Sequence, residues 1–412
     1  MLKNYFKIAI AVLKRRKFFT FISLFGISFT LTILMVLAAF IHKVVGDDYP
    51  DTKRSRSLFV TELQETGMSQ GGMSSASGAP SYWFLNKYAA TLKSPEKVTL
   101  FSSSRGTNTY VNNKKIALYY KYTDATYWDV LDYEFLEGKP FTAQQVLNGE
   151  PVTVISDDIR KEYFGSEGSV VGKYIEADNV RYRVCGVVKS FPIISYMLYS
   201  DIYLPFTVSK TSYNDRSYRG NYNAILLGRS SGDLERMHDE FESVVKKLPT
   251  SDKVYQNLYC HAKTYLEAYA DMGNEGKSGV NFAIIVVSIF TLIVMLLPTL
   301  NLININITRI MERSSEIGVR KAFGASSSTL AYQFIVENII LTLLGGLIAC
   351  VFSFIIMKLL NSSGLIHHLD LSLNWFVLLI GLGIALVFGL LSGVYPAWRM
   401  SKLHVVTALR EQ

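Results

Sequence analysis

The sequence predicts a membrane protein: an α-helical four-span transmembrane domain plus an α+β extracytoplasmic domain. Three observations predict it. Spanning a bilayer takes about 20 apolar residues at about 1.5 Å rise each. Phe18–Ile41, Ser278–Leu300 and Leu371–Tyr395 are uncharged runs of that length, and Ile339–Met357 reaches it when extended back to Thr329 across Glu337. The second observation is charge. The formal net charge is +8, yet residues 43–278 balance to −1 and the rest of the chain to +9. Third, residues 43–277 alternate strand-like and helix-like patterns with frequent turns.

The flanking charges set the topology. Lys3, Lys7, Lys14, Arg15, Arg16 and Lys17 precede the first run. Arg309, Arg313, Arg320 and Lys321 lie between the second and third, and Arg399, Lys402 and Arg410 follow the fourth. Basic residues beside spans stay in the cytoplasm. Both termini and the 306–329 connection are therefore expected there, with 43–277 outside. This placement also excludes a nucleic-acid patch as the source of the basic charge.

In chain order, residues 1–17 form an expected cytoplasmic amphipathic helix. Leu2, Tyr5, Phe6, Ala9, Ile10 and Leu13 share one face, with Lys3, Lys7 and Lys14 opposite. The first span, 18–42, is too long for the apolar stretch of a cleaved signal. Beyond it, Ser57–Gln64 and Lys97–Ser102 read as strands flanking a helix at Ser81–Leu92. Asn223–Arg229 and Val254–His261 flank a second helix, Gly232–Leu248. Two such β-α-β units predict a ferredoxin-like porter lobe at 43–105 and 206–277, with an inserted β-rich lobe at 106–205. Within the insert, Val152–Ser156, Tyr174–Ala177, Arg181–Val188 and Asp201–Leu204 are β-favouring runs between Gly, Asp, Asn and Pro turns. Residues 69–80, SQGGMSSASGAP, have the composition of a flexible loop. Cys185 and Cys260 each fall in a strand-like run; a bridge between them and two buried thiols both remain open.

Residues 278–305 form the expected second span, kinked at Pro298. The third, 330–358, starts after the capping serines that end at Ser328. It holds Glu337, an intramembrane acid close enough to the cytoplasmic edge to pair with Arg320 or Arg399. Residues 359–373 form a short outer loop, 374–396 the fourth span and 397–412 a cytoplasmic tail. Gly345 and Ala349 recur at four-residue spacing in span three, as do Gly381, Ala385, Gly389 and Gly393 in span four. Such stripes let helix backbones approach closely, within the chain or across a dimer.

No catalytic constellation emerges. Gly168–Lys173, GSVVGK, superficially matches a phosphate loop, but that pattern needs Gly where Glu167 stands and Ser or Thr where Tyr174 stands. No H-E-x-x-H or paired C-x-x-C occurs, and His367-His368 has only Asp370 nearby. The expectation is a non-enzyme with no metal site.

The stretch between spans two and three carries the functional reading. Arg313 precedes Glu316-Ile317-Gly318-Val319-Arg320-Lys321-Ala322-Phe323-Gly324-Ala325-Ser326. Glu316 and Arg320, four apart, share a helix face, where they can pair with each other or meet a partner's charges. Gly318 and Gly324 permit close backbone approach, and Ile317 and Phe323 offer apolar contact. This segment resembles the FtsX-like/MacB-type permeases of ABC transporters. The order Asp124-Ala-Thr-Tyr-Trp-Asp-Val-Leu131, Phe135-Leu-Glu-Gly-Lys-Pro-Phe141 and Val152–Ser156 is similar to the MacB-type periplasmic core domain. The resemblance implies a permease in a bacterial cytoplasmic (inner) membrane, working as a homodimer or a heterodimer with a related permease. It implies an ATPase-coupling role for Arg313, Glu316, Ile317, Gly318, Arg320, Lys321, Phe323, Gly324, Ala325 and Ser326. No cofactor is expected on this chain; ATP and Mg²⁺ belong to a separate cytoplasmic ABC ATPase. A periplasmic adaptor and an outer-membrane channel are further partners of this class. Efflux of a drug, peptide or similar compound is the leading expectation; lipoprotein release and control of a cell-wall hydrolase are the alternatives.

Overall fold

The computed structural model describes residues 10–11, 14–15, 17–69, 72–111, 114–210, 213–270, 279–311, 327–373, 375–384 and 386–387. Two compact units divide the chain. One is helical (Met1–His42, Phe282–Leu365 and Asp370–Gln412) and one is β-rich (Lys43–Asn281 with Ile366–Leu369). The first long helix, α1 (Lys17–Val45), is 29 residues of almost uninterrupted apolar sequence.

In the β-rich unit follow β1 (Ser57–Val60), β2 (Leu63–Ser69), β3 (Gly72–Gly78), α2 (Tyr82–Tyr88), β4 (Lys97–Ser102), β5 (Arg105–Val111), β6 (Lys114–Thr123), α3 (Tyr127–Val130), β7 (Phe135–Gly138), α4 (Ala143–Leu147), β8 (Val152–Ser156), α5 (Asp157–Phe164), β9 (Tyr174–Ala177), β10 (Val180–Val188), β11 (Ile202–Pro205), β12 (Tyr222–Leu227), α6 (Leu234–Val245), β13 (Asn257–Cys260) and α7 (Tyr265–Ala270). Local chemistry starts several of the helices. Ser81 caps α2 by accepting from Phe84 N–H, and Ser156 caps α5 by accepting from Ile159 N–H. Thr142 and Gln145 close a reciprocal capping box on α4.

Ten strands form one mixed sheet in the order β1-β12-β4-β6-β11-β8-β10-β7, with β5 on β6 and β9 on β10. The β11–β6 and β10–β8 pairs are parallel. A second sheet runs β13-β2-β3. Strands β8, β11 and β12 are buried along their whole length. That is why their sequences are near-continuous apolar runs and not alternations.

Two expectations need correction. Within the loop expected at 69–80, Gly72–Gly78 forms a strand: β3 pairs with β2 from Leu63↔Gly78 to Ser69↔Gly72. Its Ser, Ala and Gly side chains show no alternation, so the pairing is dictated by β2 and leaves no pattern of its own. The single strand expected at 57–64 breaks at Thr61-Glu62 into β1 and β2, which enter different sheets. The strands of the 106–205 segment, the expected inserted β-rich lobe, prolong the sheet containing β1, β12 and β4. The junction is one register pair, Phe101↔Thr123. Asp124 reinforces it, accepting from Thr99 Oγ1 (2.6 Å), Leu100 N–H (2.8 Å) and Tyr127 N–H (2.9 Å).

Lys121, on β6, is fully buried. Its amine donates to the Met197 carbonyl at 2.6 Å, a neutral acceptor, 5.0 Å from the Phe101 ring centroid. Burial drives its pKa well below the ordinary lysine value. The unfolded chain then holds a proton that the folded chain lacks at pH values between the lowered pKa and about 10.4. The contribution of Lys121 to stability therefore rises with pH across that window. Lys121→Met is expected to flatten this slope and to stabilise the protein at neutral pH by on the order of 1 kcal/mol. Unfolding of the full chain, measured against pH for both proteins, checks the sign.

In the helical unit, α8 (Gly279–Met311) and α9 (Ser327–Ser362) span 33 and 36 residues. Among the described residues, Lys17–Val45 and Ile335–Ser362 are long and apolar enough to cross a membrane; Gly279–Val294 and Trp375–Ile384 are shorter apolar helices. The backbone of α8 stays helical through Pro298.

Candidate functional site

The residues with the sharpest sequence assignment, Arg313 and Glu316 through Ser326, lie outside the described residues, as do Ala385, Gly389, Gly393 and Arg399. What the structure describes is the packing of α1 and α9 and the β-rich unit.

Gly345 and Ala349 line the face of α9 that meets α1. A Cβ on Gly345 would come within 2.6 Å of Ile27 Cγ2. Ala349 is fully buried, and its carbonyl accepts from Thr32 Oγ1 at 3.4 Å. One turn on, Ser353 Oγ lies 3.5 Å from Met35 Sδ. These contacts occur every four residues on α9 and about one turn apart on α1, at Ile27, Thr32 and Met35. Small residues at this spacing remove the side-chain bulk that otherwise separates two backbones. Gly381 sits by Leu31, where an added Cβ would make an ordinary 3.5 Å contact. Glu337 is buried at 1 % exposure.

In the β-rich unit the densest polar cluster surrounds Arg54, 5 % exposed. Its Nε donates to Asp51 Oδ2 at 2.9 Å. Its Nη1 donates at 2.8 Å to the carbonyls of both Val44 and Gly46. The guanidinium carbon lies 3.8 Å from the centroid of the Tyr265 ring. Tyr265 in turn meets Phe59 edge-on at 5.3 Å. Burial pushes the Asp51 carboxyl above its usual range, and the Arg54 charge opposes that rise. Asp47 braces the same turn, accepting from Ser55 N–H and Ser55 Oγ at 2.7 Å each. Nothing in the local sequence announces this cluster, because Tyr265 is 211 positions from Arg54.

A cleft of about 380 Å³ opens between strand ends and loops of this unit, lined by Thr61, Glu62, Ser103, Ser104, Tyr196 and Asn223, with Ala268 of α7 on one wall. Its walls carry hydroxyls and amides, where typical small-molecule sites are mostly apolar. The phosphate-loop lookalike has no free cradle: Val170 N–H and Ser169 Oγ both donate to Glu137 Oε2, at 3.0 and 2.9 Å, and Arg160 is bound to the Gly168 carbonyl. Cys185 and Cys260 are free thiols in β10 and β13. His368 Nε2 lies 2.6 Å from Asp158 Oδ2. Among the described residues no group of three His, Cys, Asp or Glu side chains is placed to hold a metal.

Comparison with known proteins follows the same division. A family model described as MacB-like periplasmic core domain matches residues 20–244, and one described as FtsX-like permease C-terminal matches 288–405. The ABC transporter permease YknZ of Bacillus subtilis (strain 168), itself described as uncharacterized, is 27 % identical over 296 residues, 70 % of each chain. The macrolide export ATP-binding/permease protein MacB of Bdellovibrio bacteriovorus is 26 % identical over 66 % of this chain. The pyoverdine export ATP-binding/permease protein PvdT of Pseudomonas aeruginosa is 26 % identical over 69 %. The chain spans only 41 % of the length of each of these last two. Among solved structures, the periplasmic region of MacB from Actinobacillus actinomycetemcomitans aligns with 57 % of this chain and 97 % of that one, at 14 % identity and a TM-score of 0.37. The core-domain model alone covers more than half of the residues, and the permease model covers most of the remainder. This chain belongs to the MacB/FtsX-type family of ABC transporter permeases, with a MacB-like periplasmic core domain followed by an FtsX-like permease segment.

Proposed function

We propose that this permease couples ATP hydrolysis by a separate cytoplasmic ATPase to a change of shape in its extracytoplasmic domain, and that the work serves export of a drug, peptide or similar compound. The observation that carries this is α8. Thirty-three helical residues make a rod of about 50 Å at 1.5 Å per residue, longer than the hydrocarbon core of about 30 Å. That rod leads directly into residues 312–326, the segment assigned to the ATPase. Movement at its cytoplasmic end is delivered outside without a path for substrate through the spans. The spans themselves carry almost no charge with which to line such a path.

Topology follows the same reading: four spans, both termini and the coupling segment cytoplasmic, the core domain outside, and a dimer of permeases clasping the ATPase. The strand order supports a porter lobe. The two halves of the expected first strand reach both strands of the closing unit: β1 pairs with β12, with β4 beyond it, and β2 pairs with β13 in the second sheet. An ATPase partner is supported by membership of the ABC transporter permeases, among which YknZ is named a permease. Export is supported by the names of MacB and PvdT.

The test is co-purification from native membranes in mild detergent, read by mass spectrometry, with Glu316→Lys/Arg320→Glu beside wild type. An ABC ATPase is expected with wild type and at least tenfold less of it with the double reversal. Export predicts an adaptor and an outer-membrane channel among the co-purified proteins; a lipoprotein carrier or a wall hydrolase in their place overturns export. Absence of any ATPase from the wild type overturns the energised reading.

A further inference from the structure

We infer that Arg54 is a positioning residue that fastens the outer end of α1 to α7 and so makes the start of α7 follow the first helix. Every contact involved lies within the β-rich unit. Val44 and Gly46 mark the place where α1 ends, and their carbonyls are among those that a helix terminus leaves without intrahelical donors. Arg54 supplies both with a donor from one guanidinium, a favourable place for a cation because helix carbonyl ends are electronegative. The opposite face of the same guanidinium covers Tyr265, the first residue of α7. Asp51 holds the plane through Nε. A planar fork with several donors and a stacking face meets these demands at once; an ammonium does not. Val44 is separated from Tyr265 by the whole core domain in sequence, yet one side chain touches both.

The consequence reaches the cleft. Ala268, one turn beyond Tyr265, forms part of its wall. Any tilt or rotation of the last turn of α1 is passed through Arg54 to α7 and changes the cleft's mouth. As a transmission element this rests on the mechanical reading above; as a local clamp it does not.

The experiment uses the full chain with its ATPase partner and compares wild type, Arg54→Met and Arg54→Lys by hydrogen–deuterium exchange. Without nucleotide, peptides covering 43–56 and 262–270 are expected to exchange at least tenfold faster in Arg54→Met. Peptides from β8 and β10 should be unchanged, and Arg54→Lys should be intermediate. Unchanged exchange at either segment overturns the clamp. Should Arg54→Met fail to fold, Arg54→Lys carries the same comparison. With ATP and vanadate, wild type is expected to change its exchange at 265–270, whereas the variants keep ATPase turnover within about twofold and lose that response. A response preserved in the variants overturns the transmission role. No response in wild type, alongside a clamp effect without nucleotide, counts against the energised reading and leaves the clamp standing.

Discussion

Replacing Trp128 by alanine is expected to lower the unfolding free energy of the core domain by about 3 kcal/mol, the lower end of the range for deleting a large buried ring, because the side chain is half-buried against the core. The indole sits at the centre of an aromatic cluster. Its ring lies edge-on to Tyr133 at 5.2 Å, Phe135 and Phe141 at 5.4 Å each, and Tyr127 and Tyr203 at 5.5 Å each. Edge-on packing brings positive ring edges to negative faces, so each neighbour contributes beyond its buried area. The cluster cannot collapse into the void, because Tyr127, Tyr133 and Tyr203 are tied through their hydroxyls at 3.1 Å each. One feature separates shape from polarity. Trp128 Nε1 is buried and, among the described residues, has no acceptor. Trp128→Phe therefore removes an unsatisfied donor along with part of the ring, and is expected to cost less than about 1.5 kcal/mol. Urea unfolding of both variants checks the pair of values. Equal costs would mean that the cluster's order depends on the indole nitrogen, contrary to the packing argument.

Gly345→Leu is the second large effect, and it acts in the helical unit. Even the first added carbon would meet Ile27 Cγ2 at 2.6 Å, well inside contact distance. Neither helix has slack at this level, since Ile27 is 7 % exposed and Ala349, one turn along, is fully buried. Overpacking of this kind costs about 1–3 kcal/mol in a packed core, and at a close helix crossing it forces the backbones apart. The expected result is a lowered thermal midpoint in detergent, with loss of any disulfide engineered between Thr32 and Ala349. The smaller Gly345→Ala should be rescued by Ile27→Ala, because the two changes act on the same contact and are not additive. Additive losses would place the crossing elsewhere.

These cases mark how far the sequence could be read. Lys97–Ser102, Val152–Ser156 and Tyr174–Ala177 are strands with the limits the pattern implies. Each is a β-favouring run with turn-forming residues close by, so local preference and tertiary role agree. The small-residue stripe of span three was visible as spacing, but its partner on α1 was not, since apolar side chains all around a membrane helix leave no periodic clue to the packed face. Failures came where structure is set by distant pairing. Strand β3 is strand only because β2 lies beside it. Arg54 reads as an ordinary surface cation in the turn RSRS until Tyr265, Val44 and Gly46 are brought around it. The proposed coupling residues differ again: spacing gives Glu316 and Arg320 a shared face, but the partner we propose for them is another protein, which no intrachain pattern records.

The narrow junction between β4 and β6 has a consequence for how this domain can be edited. Among the described residues Phe101↔Thr123 is the one register pair crossing it, accompanied by the backbone bond from Asp124 N–H to the Leu100 carbonyl at 3.2 Å, so the backbone demands little continuity there. The Asp124 carboxylate supplies much of the remaining bonding through a side chain. A segment attached in this way can be lengthened, exchanged or grafted at modest cost to the sheet that receives it. Chimeras that swap residues 105–205 between relatives should therefore fold when the incoming piece brings its own Asp at position 124. This seam is where the outer domain could acquire a new recognition module while its connection to the membrane helices stays the same.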